Sequence, residues 1–406
     1  MSNPGFRSFS PALQRFFLAT VVNMAGSGMI FAFIFVYLDN VRGFSGFRAG
    51  LAVGVTPLAT VVSTPLAGYL SDRFGPRRIL TLGCLLSIVA GGAYAYVTTF
   101  EVALIIGVLM GVANGLWFPS QSALISVIVT PELRPAASAF QRTALNLGAG
   151  VGGGIGGLIA DTNRPGTFQV MFAINVATYL VFLTCLPGLP SGRLNKQPVQ
   201  DDQGASGFGA VLRDRFYIRL LASDIGIALG FGFLWGVVPA YAKRIGIRES
   251  VIGSLFFIGA ISVVVFQLPM LRWVRGRRRM RSLAVMNATF AVAAVLTGVA
   301  VDAPFWVAFA LLAFGQAIAG FGESILGVIR QPLTADLAPP ALVGRYYGLA
   351  AMVFQGCMGA ANAIGGALMD VSLRGIWFFA AIMSVYGVVT SLMLERRIPA
   401  HLRLAP

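Results

Sequence analysis

Two carboxylates stand where carboxylates are expensive. Asp224 lies about two turns into one long apolar run and Glu323 well inside another. A charge at the centre of a bilayer costs roughly 2.5–3.5 kcal/mol on insertion scales, so such groups normally face a cavity or a partner. Each belongs to a stripe at helical spacing. Gln316, Gly320, Glu323 and Gly327 share one face, and Asp224, Ala228, Phe231 and Trp235 share another. A further run carries Asn114, Trp117, Phe118 and Gln121, and the first run carries Asn23 and Ser27. Carboxylates beside aromatic faces suit lipophilic cations. The alternative is a buried acid held by a nearby arginine or by helix hydroxyls. Arg142 and Asn146 are one turn apart near the end of a run, where Arg142 either snorkels to the headgroups or supplies a cation to a cavity. Asn362 and Gln355 share a face suited to hydrogen bonds between helices.

Other chemistries fall away. His401, in the tail, is the single histidine, which removes histidine-based metal sites, hydrolytic triads and proton relays. Cys84, Cys185 and Cys357 show no ligand spacing and read as small buried hydrophobes. No nucleophile–base pair is present, so the chain is read as no enzyme, with no catalytic residues, no metal site and no cofactor. Gly152, Gly154 and Gly157 match a dinucleotide-binding fingerprint, but no strand precedes them. Gly148, Gly152 and Gly156 instead make a flat face for tight helix packing.

The elements that position these residues follow from composition. Of 406 residues, 57% are apolar and 11% charged, against about 25% charged in a soluble domain. The mean hydropathy is +0.79. Twelve apolar runs lie near 15–38, 49–70, 79–97, 102–128, 138–160, 167–189, 217–242, 250–272, 283–301, 305–329, 346–368 and 375–394. Most exceed the roughly 20 residues that span about 30 Å, and they lack the alternation of barrel strands. The fold class is an all-α membrane protein of twelve transmembrane helices.

The net charge of +15 would suggest nucleic acid in a soluble protein. Here the basic residues occupy short loops. With both termini cytoplasmic, 23 of the 30 lysines and arginines fall on the cytoplasmic side, Arg330 counted among them, and 7 outside. That asymmetry fits a multi-pass protein of a bacterial-type plasma (inner) membrane and argues against a nucleic-acid partner. The run Arg272 to Arg281 reads as a solvated cytoplasmic loop compatible with anionic lipid. The first apolar run is too long for a cleaved signal.

A polar stretch divides the chain into an N-terminal six-helix half, 1–190, a cytoplasmic linker, 191–215, and a C-terminal six-helix half, 216–406. The halves look related. A shift of 209 residues aligns Pro131, Leu133, Gly150, Ile155, Gly156, Gly157 and Asp161 with Pro340, Leu342, Gly359, Ile364, Gly365, Gly366 and Asp370. A six-plus-six repeat points to a transporter with its site between the halves.

Gly68-Tyr-Leu-Ser-Asp72-Arg73-Phe-Gly75-Pro-Arg77-Arg78 lies between the second and third runs. It resembles the signature loop of the major facilitator superfamily, and the resemblance extends over nearly the whole chain. It implies two pseudo-symmetric six-helix bundles with spans 1, 4, 7 and 10 lining a central cavity. It also implies that Asp72 meets the N-terminus of span 11 and holds the cytoplasmic side closed, with Gly68 allowing close backbone approach. Arg73, Arg77 and Arg78 would bind carboxylates or lipid phosphates, or simply set topology. The segment from Pro131 to Asp161 is similar to that of bacterial drug/proton antiporters. It departs where Gly107 replaces a fourth-helix arginine and Gly152-Gly153 replaces a Gly-Pro pair. The reading is a monomeric secondary transporter in the bilayer that exports small amphipathic compounds against protons. The alternative is an importer or facilitator of a polar metabolite, such as a sugar or amino acid, using Asn23, Asn114, Gln316 and Gln355.

Overall fold

The structure, a computed structural model, describes residues 6–130, 133–189, 208–339 and 342–405. Twelve long helices follow one another among these residues. They are α1 (Pro11–Val41), α2 (Gly46–Phe74), α3 (Pro76–Tyr94), α4 (Phe100–Ile128), α5 (Arg134–Ile159) and α6 (Gly166–Cys185), then α7 (Arg215–Arg244), α8 (Glu249–Val274), α9 (Arg279–Val299), α10 (Phe305–Leu337), α11 (Val343–Val371) and α12 (Leu373–Glu395). Ten are long and apolar enough to cross a membrane by length and composition. The other two are α3, which opens on Arg77 and Arg78, and α5, which carries polar residues and a glycine run. Most of the linker, with Pro131 and Pro340, lies outside the described residues. The lead-in to α7 is a short helix, Phe208–Arg213, followed by Asp214.

Sequence dictates where the helices begin and turn. Ser10, Ser45, Thr99, Asp214 and Ser372 each accept a hydrogen bond from a first-turn N–H, which satisfies an otherwise orphan donor. The two halves repeat the same backbone devices. Glycines with positive φ follow the first two helices of each half, Gly43 and Gly75 in one, Gly246 and Gly276 in the other. A π turn closes α1 at Tyr37–Val41, and another interrupts α7 at Phe233–Val237.

Residues 1–197 and 248–257 form one compact unit, and residues 198–247 and 258–406 form a second. In the first, α1 packs on α5 and α6, and α4 packs on α2 and α3. In the second, α7 packs on α11 and α12, and α9 on α10 and α12. Helix pairs in lipid gain no hydrophobic drive against hydrocarbon, so small residues that let backbones approach decide which faces meet. The glycines of α5 do this. A Cβ on Gly148 would lie 2.5 Å from the Val21 carbonyl, one on Gly152 would overlap the Ala25 carbonyl, and one on Gly156 would lie 3.1 Å from Met29 Cα. On α4, Gly107 and Gly111 meet α2 in the same way, and their carbonyls accept hydrogen bonds from Thr56 and Thr60 at 3.1 Å. A Cβ at Gly107 would sit 2.7 Å from the Ala52 carbonyl. The α2–α4 contact therefore leaves no room for the arginine of the antiporter pattern.

The contact predicts opposite outcomes for neighbouring glycines. Gly152→Leu is expected to cost at least the roughly 1–3 kcal/mol of an overpacked core and to lower the yield of monodisperse protein. Gly154→Ala, whose nearest neighbour would be 3.7 Å away, should be tolerated. Size-exclusion profiles and melting temperatures in detergent compare the two.

Candidate functional site

In the second unit a chain of charged and aromatic groups joins α7, α10 and α11. It starts at Asp214, whose Oδ1 caps α7 by accepting from the Phe216 and Tyr217 N–H groups at 3.1 and 3.0 Å. Its Oδ2 accepts from the Tyr346 hydroxyl of α11 at 2.8 Å. Tyr217 donates to the Tyr346 carbonyl at 2.5 Å, and its ring lies 6.0 Å from the Arg330 guanidinium. Arg330 then donates to Asp224 through Nε, at 2.9 Å to Oδ1 and 2.7 Å to Oδ2, and also through Nη2, while Nη1 donates to Thr334.

Asp224 and Arg330 are 6% and 7% exposed, so each charge is desolvated and answered by the other. A buried pair of this kind repays its desolvation only when the geometry is good and the remaining donors are satisfied. Here each of the three guanidinium nitrogens finds an acceptor, on Asp224 or Thr334. Of the two readings open for Asp224, the structure gives the arginine-held acid. Arg330 is corrected as well. It is no loop charge, because α10 continues to Leu337 and carries Arg330 into the interior on the stripe of Glu323 and Gly327.

Glu323 lies two turns from Arg330 on that face and is half-buried. Further along, Gln316 is 5% exposed and donates to the Leu234 carbonyl at 3.1 Å. Leu234 sits in the π turn of α7, where the shifted ladder leaves a carbonyl for an outside donor. The same turn places Trp235, 7% exposed, 6.0 Å from Phe231, whose ring meets Phe354 of α11 at 5.5 Å. Gln316, Phe231 and Trp235 thus gather near one level of α7, with Glu323 two turns of α10 from Gln316.

The first unit divides its candidates differently. Gln121 of α4 donates to Thr20 of α1 at 3.0 Å and accepts from Gln141 of α5 at 2.9 Å. Ser27 donates to Tyr179 and accepts from Asn175, both of α6, at 3.3 Å. Asn23 lies between these levels, fully buried, and neither amide atom has a hydrogen-bond partner among the described residues. Trp117 is 1% exposed against Phe182. The expected cavity-lining stripe of α1 is therefore turned into the unit's own interior, with Trp117. Phe118 stands 42% exposed, edge-on to Trp117, while Asn114 and Asn146 are half-buried and Arg142 is exposed. The snorkelling reading of Arg142 suits that exposure.

The signature loop is built on Gly75, whose φ of 88° suits glycine and which ends α2 and caps α3. Ser71 anchors it to Ser120 of α4 at 3.0 Å. Arg77 donates to the Leu189 carbonyl at 2.7 Å, just beyond α6, where a helix C-terminus favours a cation. Arg73 reaches the Tyr69 hydroxyl at 3.3 Å and lies over Phe74, and Asp72 and Arg78 are exposed. A Cβ at Gly68 would meet nothing within 4 Å. The arginine run is not simply solvated. Arg278 donates to Glu395 at 2.9 Å and Arg279 to Asp336 at 2.6 Å.

Twelve helices in repeating halves and a loop of this type find their counterparts in known proteins. The family model described as Major Facilitator Superfamily matches residues 16–228 and 220–406. The chain belongs to the major facilitator superfamily. It is 25% identical to Multidrug resistance protein 1 of Bacillus subtilis (strain 168), covering 88% of this chain and 90% of that protein. It is 21% identical to the Na(+), Li(+), K(+)/H(+) antiporter of Planococcus maritimus, over 80% of this chain and 81% of the relative. A crystal structure of a peptide transporter in complex with sulfate superposes with a TM-score of 0.78 at 15% identity, covering 100% of this chain and 98% of that one. The protein is thus a multi-pass membrane transporter of this superfamily, with multidrug-resistance and antiporter relatives.

Sequence reasoning missed Arg330, although its position seven residues after Glu323 continues the α10 stripe. Arg330→Gln leaves Asp224 buried without its cation and is expected to cost roughly 3–5 kcal/mol. The double variant Asp224→Asn/Arg330→Gln should melt above Arg330→Gln alone. Melting temperatures of the single and double variants in detergent check the order, and simple additivity would show that the two groups are not coupled.

Proposed function

We propose that this transporter exports small amphipathic compounds, cations among them, in exchange for protons by alternating access, with Glu323 as the coupling carboxylate. The observation that carries the proposal is the division of labour along α10. The Arg330 nitrogens are committed to Asp224 and Thr334, which makes that acid part of the framework. Glu323, two turns away on the same stripe, remains half-buried. One intramembrane carboxylate can hold a proton or face a substrate cation, but not both at once. Exchange of the two follows from that exclusion.

Phe231, Trp235 and Phe354 supply an aromatic face for a flat or cationic compound, and Gln316 supplies an amide at the same level. Asn114, Phe118, Arg142 and Asn146 are proposed as the first half's contribution to the substrate path, with Asn23 and Trp117 supporting it from within. Gly68, Asp72, Arg73, Gly75, Arg77 and Arg78 are proposed as the gate. In this reading Arg77 fastens the loop to the end of α6, and Asp72 is presented for a latch when the conformation changes. The halves 1–190 and 216–406 would rock about the substrate, joined by the 191–215 linker, with both termini in the cytoplasm. The names of the multidrug-resistance and antiporter relatives support this direction and coupling.

In inverted membrane vesicles, Glu323→Gln is expected to abolish export driven by a pH gradient while sparing folding, judged by melting temperature. Transport with an unchanged pH dependence would remove Glu323 from the coupling role. Counterflow of a labelled sugar or amino acid without a proton gradient would favour the facilitator reading, for which the buried Gln316 Oε1, without a hydrogen-bond partner among the described residues, offers an acceptor.

A further inference from the structure

Away from the candidate transport residues, the C-terminal end of α12 borders two adjoining cavities. The larger, about 630 Å3, runs between α7 and α12 and is lined by Val389, Leu392, Met393, Arg219, Arg396 and Arg397. The smaller, about 510 Å3, shares Leu392 and Arg396 and adds Arg278, Arg281, Arg403 and Glu395. Between them the two cavities are lined by six arginines and one glutamate.

Arg278 and Arg281 already approach Glu395 Oε1, at 2.9 and 3.7 Å. Arg219, Arg396, Arg397 and Arg403 form no ion pair among the described residues. Backbone hydrogen bonds bring Arg403 to this cluster. The Gly276 and Ala405 N–H groups donate to the Ala405 and Arg277 carbonyls at 3.0 and 2.9 Å, and Arg279 N–H donates to Arg403 at 2.9 Å. The tail is thereby pinned against the α8–α9 loop. So many like charges at adjoining helix ends call for an anion.

The apolar walls say which anion. Val389, Leu392 and Met393 are 43%, 46% and 64% exposed on α12, a surface that a free phosphate would not cover but an acyl chain would. Guanidinium groups bind phosphate bidentately, and basic pockets between membrane helices take anionic lipid headgroups. We infer that the groove between α7 and α12 is a binding site for an anionic phospholipid, its phosphate held by Arg219, Arg396 and Arg397 and an acyl chain lying along Val389, Leu392 and Met393. The adjoining pocket of Arg278, Arg281 and Arg403 accepts the second phosphate of a two-phosphate lipid such as cardiolipin.

Native mass spectrometry of the delipidated full chain tests this, with phosphatidylglycerol, cardiolipin, phosphatidylcholine and inorganic phosphate as separate probes. The anionic lipids are expected to bind more tightly than phosphatidylcholine by on the order of a hundredfold, from three arginines near an anionic headgroup. The triple variant Arg219→Gln/Arg396→Gln/Arg397→Gln should lose that preference, and the corresponding triple lysine variant should keep most of it. Cardiolipin should outcompete phosphatidylglycerol in the wild type. Equal binding of phosphatidylcholine, full competition by inorganic phosphate alone, or an unchanged preference in the glutamine variant would overturn the assignment.

Discussion

An ionised carboxylate inside a membrane protein must have its charge answered, and in this chain the answer to Asp224 organises the second half. Arg330 reaches it from α10, Tyr217 lies against the guanidinium, and Tyr346 and Asp214 extend the chain to α11 and the start of α7. Three helices are thereby fixed in register at one end. The pair need not add net stability over a well-packed apolar alternative. What it removes is every arrangement in which either charge would be left alone. Glu323 lies two turns from Arg330 on the same stripe of α10 and is half-buried.

Packing between helices follows the same economy of polar groups. Where hydrocarbon surrounds the protein, close approach of backbones replaces the hydrophobic drive of a soluble core. Gly148, Gly152 and Gly156 bring α5 onto α1, and Gly107 and Gly111 bring α4 onto α2. Threonine hydroxyls on α2 then bond helix carbonyls across the contact. Two π turns aim side chains that a regular helix would place elsewhere. In α7 the turn carries Trp235 and leaves the Leu234 carbonyl to Gln316.

Much of this was legible in the sequence. The apolar runs locate the helices, and the i, i+4 glycines of α5 announce a packing face. From the stripes of α7 and α10, Phe231, Trp235 and Gln316 lie near one level of α7. The errors have physical causes. Apolarity falls off at residue 329, which places Arg330 with the loops, but α10 continues to Leu337. Thr20 and Ser27 of α1 bond to α4 and α6, because hydrogen-bonding groups satisfy one another inside a bundle as readily as they line a cavity. Hydropathy does not distinguish the two. Neither π turn has a sequence signal, and the pinning of the tail on the α8–α9 loop depends on backbone hydrogen bonds alone.

If Asp224 is locked in its ion pair while Glu323 exchanges proton for cation, the two acids should differ in chemical reactivity within one molecule. Carbodiimides modify protonated carboxyls in membranes, and peptide mass spectrometry locates the adduct. Modification of Glu323 is expected, suppressed at high pH and by a lipophilic cation such as tetraphenylphosphonium, with Asp224 unmodified. Modification of Asp224 in place of Glu323, or labelling of Glu323 indifferent to the cation, would contradict it.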